Sequence, residues 1–240
     1  MVEDLLDVDS PMVTPTAVQE SLIAEHRLEG QWRRYLGRRR DLRWWANRAS
    51  RWIRRTAQRL LPPSTDLVRR LLNIELSHLS LMRQGLESGA DWVLILEDDA
   101  FALDIKDLSD GLVQLMREPD APHFVDLSGS FTPRELGIEH LLIPLPGTSW
   151  AGTFDRALMS TERPVTNTVC AILYSAPFLA QIVAKIDELP MEPVVPIDWK
   201  LNQALMNLYA AGQVGAGDFW LVDPAPIMQM SMQPAGILIS

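Results

Sequence analysis

Three consecutive carboxylates, Glu97-Asp98-Asp99, follow directly on five unbroken apolar residues, Trp92-Val-Leu-Ile-Leu96. Adjacent acids repel one another, and burying any of them unpaired is costly. A hard divalent cation such as Mn²⁺ or Mg²⁺ would relieve that cost, because carboxylate oxygens are its preferred ligands. On an extended chain alternate side chains share a face. Glu97 and Asp99 therefore form the pair set up for one metal, and Asp98 points to the other side. A solvated acidic turn after a core strand is the plain alternative.

The elements around the acids say how they are positioned. The run before them is too short for a globular helix and is β-prone, so it is expected to be a strand buried on both faces. Acids at the end of such a strand lie at the carboxyl edge of a sheet, where ligands of open α/β sheets bind. Upstream, Ser64-Thr-Asp66 opens a helix expected to run from Leu67 to about Glu87 and to end at Ser88-Gly89. A helix that turns directly into a buried strand is half of an α/β unit.

Downstream, helices are expected over Leu108–Arg117, from Ser175-Ala-Pro177 to about Ile186, and over Leu201–Ala211. Strands are expected at His123–Leu127, Thr168–Tyr174 and Phe219–Val222. Residues 131–166 contain Pro133, Pro144, Pro146, Gly147, Gly152 and Pro164 and read as a long irregular loop of the kind that binds substrates.

Charge is distributed unevenly along the 240 residues, whose formal net charge is −9. Residues 31–60 carry eleven Arg against Asp41 alone, while the chain on both sides is acidic. Within this segment Leu42, Trp45, Ala49, Trp52, Ile53 and Thr56 recur at helical spacing. The result is a basic amphipathic helix stopped by Pro62-Pro63. It can lie on an anionic membrane surface or dock on the acidic body of its own chain. Nucleic acid is not an expected partner, since the remaining acidic surface would repel a phosphate backbone. The division expected is a leader over residues 1–62, with a helix beginning near Thr16, followed by an α/β domain over 63–240. The single cysteine, Cys170, excludes an internal disulfide and reads as a packing residue. No apolar run approaches the ~18 residues of a membrane span. The acidic N-terminus lacks a secretory pattern, so a cytoplasmic protein is expected, peripheral to the inner face of the membrane if the basic helix binds lipid.

Together, Glu75-Leu-Ser77-His78-Leu-Ser80 and Gly89-Ala-Asp-Trp-Val-Leu-Ile-Leu-Glu97-Asp98-Asp99-Ala100 resemble glycosyltransferase family 25, the lipopolysaccharide-biosynthesis and collagen-galactosyltransferase type. There a Ser-His pair on a helix precedes a strand ending in Leu-Glu-Asp-Asp. Asn167–Tyr174 with Ser175, Pro196-Ile-Asp198-Trp199 and Phe219-Trp-Leu-Val-Asp-Pro224 with Gln229 follow in the family's order. The resemblance covers roughly residues 66–232 and implies a GT-A fold, a mixed, mostly parallel sheet flanked by helices. It also implies metal-dependent, inverting transfer of a sugar from a nucleotide-sugar, usually a UDP-hexose, to a cell-envelope glycan or lipid-linked acceptor. On this resemblance Glu97 and Asp99 hold the metal and Asp198 is the general base, although Asp198 also reads as a helix N-cap. Ser77 and His78 support the acidic loop, with a hydrogen-bonded core histidine as the alternative for His78. Asp98 belongs to the donor site, and Asp126, Ser128 and Asp155 are candidates for acceptor contacts. Residues 1–60 offer no counterpart of the family's opening nucleotide-binding strand, which implies a divergent or shortened N-terminus. The alternative function is a non-catalytic binding or scaffold protein that keeps the fold with an incomplete donor site.

Overall fold

A computed structural model describes residues 15–37, 65–118, 121–145, 150–166, 168–189 and 195–230. The first helix, α1, spans Pro15–Tyr35, and α2 spans Thr65–Glu87. Asp66 sits in the first turn of α2, where a carboxylate complements the helix dipole. Gly89, at φ +71°, supplies the left-handed turn that ends the helix. The chain then enters β1, Trp92–Leu96. A side chain at Gly85 would strike Val93, so the glycine lets α2 lie close against this strand.

After the acids come β2 (Ala100–Ala102), α3 (Ile105–Leu115), β3 (Phe124–Asp126), a single helical turn α4 (Pro133–Leu136) and β4 (Leu142–Pro144). The chain continues through β5 (Ala157–Thr161), β6 (Ala171–Ser175), α5 (Ala176–Asp187), α6 (Ile197–Ala210), β7 (Phe219–Asp223) and β8 (Ile227–Gln229). The main sheet has six strands in the order β1-β6-β3-β7-β5-β4, and β2 pairs with β8 in a separate ribbon.

This is a mixed α/β fold, but the expectation of a mostly parallel sheet is overturned. Only β3 and β7 pair in parallel; β1–β6, β3–β6, β5–β7 and β4–β5 are antiparallel. A second correction concerns β1. It pairs only with β6 among the described residues and is a half-buried edge strand, with Ile95 buried and Leu96 exposed. Its apolar run is explained by α2 on one face and by packing of Trp92 and Leu94 on the other. Residues 131–166 also hold more regular structure than expected, namely α4, β4 and β5.

One face of the sheet is covered by α2, α5 and α6, around a core that includes Leu79, Met82, Ile95, Ile172, Ile182 and Leu205. At its centre Phe124 lies edge-on to Tyr174 at 5.4 Å, and Phe178 lies edge-on to Phe219 at 5.4 Å. Each such pair adds about 1 kcal/mol to the burial itself. The other face packs Leu115, Val125, Trp150, Leu158, Trp220 and Val222. There Asp107 of α3 is fully buried and holds the Arg156 guanidinium at 2.8 Å, while Arg156 also reaches the Pro224 carbonyl. Burial pushes the Asp107 carboxyl up. The Phe154 N–H and Arg156 outweigh that push and hold it below the usual aspartate range.

Helix α1 docks on this body. Trp32 meets Trp199 edge-on at 5.9 Å, Tyr35 meets Tyr209 at 5.4 Å, and Leu36 is buried with Ile138, Leu141 and Val165. Residues Leu42, Trp45, Ala49, Trp52, Ile53 and Thr56, on which the basic amphipathic helix rests, lie outside the described residues. No described helix is long and apolar enough to cross a membrane.

Candidate functional site

Strand β6 runs antiparallel to both β1 and β3, and β7 runs parallel to β3. Strands β1, β3 and β7 therefore point the same way, and their carboxyl ends share one edge of the sheet. That edge collects Glu97, Asp98 and Asp99 after β1, Asp126 and Ser128 at the end of β3, and Asp223 at the end of β7.

At the end of β1 the Glu97 N–H still donates to the Cys170 carbonyl at 2.9 Å, and the chain then turns so that the Ala100 N–H donates to the Glu97 carbonyl. The turn brings Glu97 and Asp99 to one side. Ligand atoms of Glu97, Asp99 and Cys170 all lie within 4.8 Å of one another. Asp98 stays exposed, outside this group. Cys170 is fully buried. Burial, together with the neighbouring Glu97, Asp99 and Asp126 carboxylates, pushes its thiol up to about 12.

Two groups orient Glu97 from opposite sides. His78 Nε2 lies 3.5 Å from Oε1, and the Gln229 amide donates to Oε2 at 2.7 Å. His78 is buried, and its Nδ1 has no hydrogen-bond partner among the described residues. Ser77, beside it on α2, is half-buried. One turn earlier Glu75 receives the Lys200 ammonium at 2.5 Å, with both side chains at most 4% exposed. Burial raises the Glu75 carboxyl above its ordinary range, and the hydrogen bond and charge of Lys200 only partly offset it.

From Gln229 a chain of hydrogen bonds runs along the sheet edge. Ser130 Oγ donates to Gln229 Oε1 at 3.0 Å and lies 3.3 Å from Thr168 Oγ1, which donates to Ser128 Oγ. Ser128 Oγ donates to Asp126 at 2.6 Å, and the Ser128 N–H reaches the same carboxylate oxygen. The other oxygen of Asp126 accepts from Thr166 Oγ1. The Thr166 N–H donates to Asn202, whose amide donates in turn to the Asp198 carbonyl. Glu97, Asp126, Ser128 and the backbone of Asp198, expected in separate roles, thus belong to one connected network, whereas Ser77, Asp98 and Asp155 are not among its members.

Asp198 lies half-buried inside the first turn of α6, because the helix begins at Ile197 rather than at the expected Leu201. Its reading as an N-cap is therefore overturned; Pro196 holds that position without a side-chain cap. Asp155 is exposed. The residues that sequence reasoning missed are Cys170 as a possible ligand, the Ser130–Thr168–Thr166–Asn202 relay, and the Glu75–Lys200 pair. A signal existed for Cys170, which stands at the start of an apolar run at the sheet edge that holds the acids. No family model matches this chain, and no curated protein matches it in sequence.

The acidic group can hold a cation with two carboxylates and a thiol from two adjoining strand ends. The buried Asp126 carboxylate, fixed by Ser128 and Thr166, can accept a hydrogen bond from a hydroxyl presented beside it. Both capacities occupy the same sheet edge.

Proposed function

We propose that this protein is a metal-dependent, inverting glycosyltransferase of the GT-A kind, moving a sugar from a nucleotide-sugar, in the first instance a UDP-hexose, to a cell-envelope glycan or lipid-linked acceptor. The observation that carries the reading is the convergence of Glu97, Asp99 and Cys170 within 4.8 Å at the carboxyl edge of the sheet. Two carboxylates on a turn make a donor set suited to Mn²⁺ or Mg²⁺, so the residues present fit such an ion. When bound, the ion supplies neutralisation of the charge that develops on the leaving diphosphate. His78 and Gln229 fix the orientation of Glu97, and the exposed Asp98 extends the donor surface. An acceptor hydroxyl oxygen bonds to the anomeric carbon as the bond to the diphosphate breaks. Asp198 takes the hydroxyl proton, and Asp126 with Ser128 orients the acceptor.

Calorimetric titration of UDP, UDP-galactose and UDP-glucose, with and without Mn²⁺, tests the reading. Metal-dependent binding that Asp99→Asn abolishes is the expected result. No nucleotide binding by the wild type under any metal condition would refute it. That outcome would favour the second reading, a non-catalytic GT-A-like binding or scaffold protein. A specific observation supports this alternative: among the described residues no strand pairs with the outer edge of β1, and an open edge is suited to a partner chain.

A further inference from the structure

A cavity of about 230 Å³ lies alongside the carboxyl end of β7, roofed by α4. At one side stand Asp126 and Ser128, the pair that orients the acceptor in the proposed transfer. The remaining space is therefore open to whatever the acceptor carries next to its reacting hydroxyl. The cavity also adjoins the acidic centre. Met228 lines it, and the next residue of β8, Gln229, donates to Glu97. A side chain at Gly129 would strike the Met228 sulfur, so this glycine lets β8 close against the chain that leaves β3.

Charge, polarity and size then restrict that neighbouring group. Among the described residues that line the cavity, Asp126 and Asp223 are charged, and no lysine, arginine or histidine accompanies them. A phosphate or carboxylate placed there would meet two acids and no cation, so an anionic group is repelled. Elsewhere the walls are Leu136, Leu221 and Met228, and the unbranched Met228 adapts to apolar surfaces of differing shape. Leu103, 49% exposed, and Phe131, 38% exposed, carry the apolar lining out to the mouth. A hexose ring bears hydroxyls around its whole edge, and burying them against such walls without partners is costly. An apolar cavity of about 150 Å³ accommodates benzene, and drug-sized sites start near 300 Å³. The space suits one ring, or an alkyl group of that bulk.

We infer that the acceptor is uncharged at its reacting end and bears the reacting hydroxyl directly on a compact apolar group, and that this cavity is the seat of that group. The apolar group lies between Leu136, Leu221 and Met228, and the hydroxyl faces Asp126 and Ser128. Any further part of the acceptor leaves past Leu103 and Phe131. The inference rests on the transferase reading and narrows its acceptor, from a glycan or lipid-linked molecule in general to one that is apolar beside the hydroxyl to be glycosylated.

The test uses the full chain with Mn²⁺ and UDP, and three probes: benzyl alcohol, mandelate, which adds a carboxylate to the same ring and hydroxyl, and methyl glucoside. Ligand-observed NMR titration should show saturable binding of benzyl alcohol, about tenfold weaker binding of mandelate because of the two acids, and no saturation by methyl glucoside. Ala225→Leu, which enlarges a lining residue, should abolish benzyl alcohol binding while the unfolding midpoint and the calorimetric affinity for UDP stay near those of the wild type. With UDP-glucose or UDP-galactose in place of UDP, mass spectrometry should detect benzyl hexoside from the wild type and none from Ala225→Leu. The inference is overturned if the wild type binds UDP but benzyl alcohol does not saturate it, or forms no hexoside. It is also overturned if mandelate or methyl glucoside binds as tightly as benzyl alcohol, or if folded Ala225→Leu protein binds benzyl alcohol unchanged. In each of these cases UDP binding leaves the donor-site reading standing. Absence of UDP binding marks the other failure, since it refutes the transferase reading and the acceptor role with it, whatever benzyl alcohol does.

Discussion

Replacing Lys200 by Met should be among the most damaging single substitutions outside the apolar core. Lys200 and Glu75 join α6 to α2 through a 2.5 Å contact, with side chains 4% and 2% exposed. One Glu75 oxygen already lacks a partner among the described residues. Met approximates the length and volume of the lysine stem, so the substitution removes charge more than packing. Glu75 is then left as a buried carboxylate without its cation, and breaking a buried pair in this way costs about 3–5 kcal/mol. For a chain of this length each kcal/mol is worth roughly 2–4 °C, so the melting temperature should fall by roughly 6–20 °C.

The pH dependence gives a sharper readout than the size of the loss. Burial raises the folded-state pKa of Glu75 despite Lys200. A raised carboxyl favours folding while it is protonated, and that contribution is lost as pH rises through the raised value. Lys200→Met moves the value further up, so the loss should be small in acid and grow towards neutral pH. Glu75→Gln combined with Lys200→Met removes both charges and should recover most of the stability lost by either substitution alone. Urea unfolding followed by circular dichroism at several pH values gives the free energies. A Lys200→Met cost below about 1 kcal/mol, or a cost unchanged between acid and neutral pH, would refute this account of the pair.

Arg156→Met should cost about 3 kcal/mol at neutral pH by stranding the fully buried Asp107. Asp107 is held below its ordinary range, so its contribution is present above that range and lost on acidification. The gap between wild type and variant, measured by urea unfolding, should therefore narrow as pH falls below about 4; a gap that widens would contradict the assignment. Cys170, with its thiol pushed up to about 12, should react with iodoacetamide roughly a thousandfold more slowly in native protein than in guanidinium at pH 8.5. Native and unfolded rates within tenfold of one another would show that the thiol is neither buried nor suppressed.

What was legible in the sequence was mostly local. The five apolar residues of β1, its acidic end and the helix ended by Gly89 could be read because each is specified within a few residues. Strand direction could not. Ala171–Ser175 has the same apolar character whichever way it runs, and only its pairing with both β1 and β3 makes those contacts antiparallel. The ribbon of β2 and β8 was missed for a related reason. Three residues on each side carry no usable periodicity, and their pairing joins segments far apart in the chain. Glu97 and Asp99 stand out in the sequence as an acidic pair, whereas Cys170, which the fold brings within 4.8 Å of them, reads there as packing. Cys170 does pack in the core, and what distinguishes it is a neighbour across the sheet rather than its own surroundings in sequence. The Glu75–Lys200 pair shows the same limit, because neither partner carries a local mark of burial.

The hydroxyl chain between Gln229 and Asp126 has a consequence in plain proton counting. Gln229 already donates its amide to Glu97, so it offers Ser130 only an acceptor, and at the far end Asp126 accepts from Ser128. Ser130, Thr168 and Ser128 bring one hydroxyl hydrogen each, but four oxygen–oxygen contacts link the two ends. One contact must therefore stand without a hydrogen at every instant. The end contacts are short, at 2.6 and 3.0 Å, whereas both contacts to Thr168 are 3.3 Å. The vacancy thus resides at Thr168, whose single hydrogen serves Ser128 or Ser130 but never both. A rotation of that one hydroxyl registers which end of the row is drawing harder, so the acidic centre and the Asp126 carboxylate share one hydrogen between them.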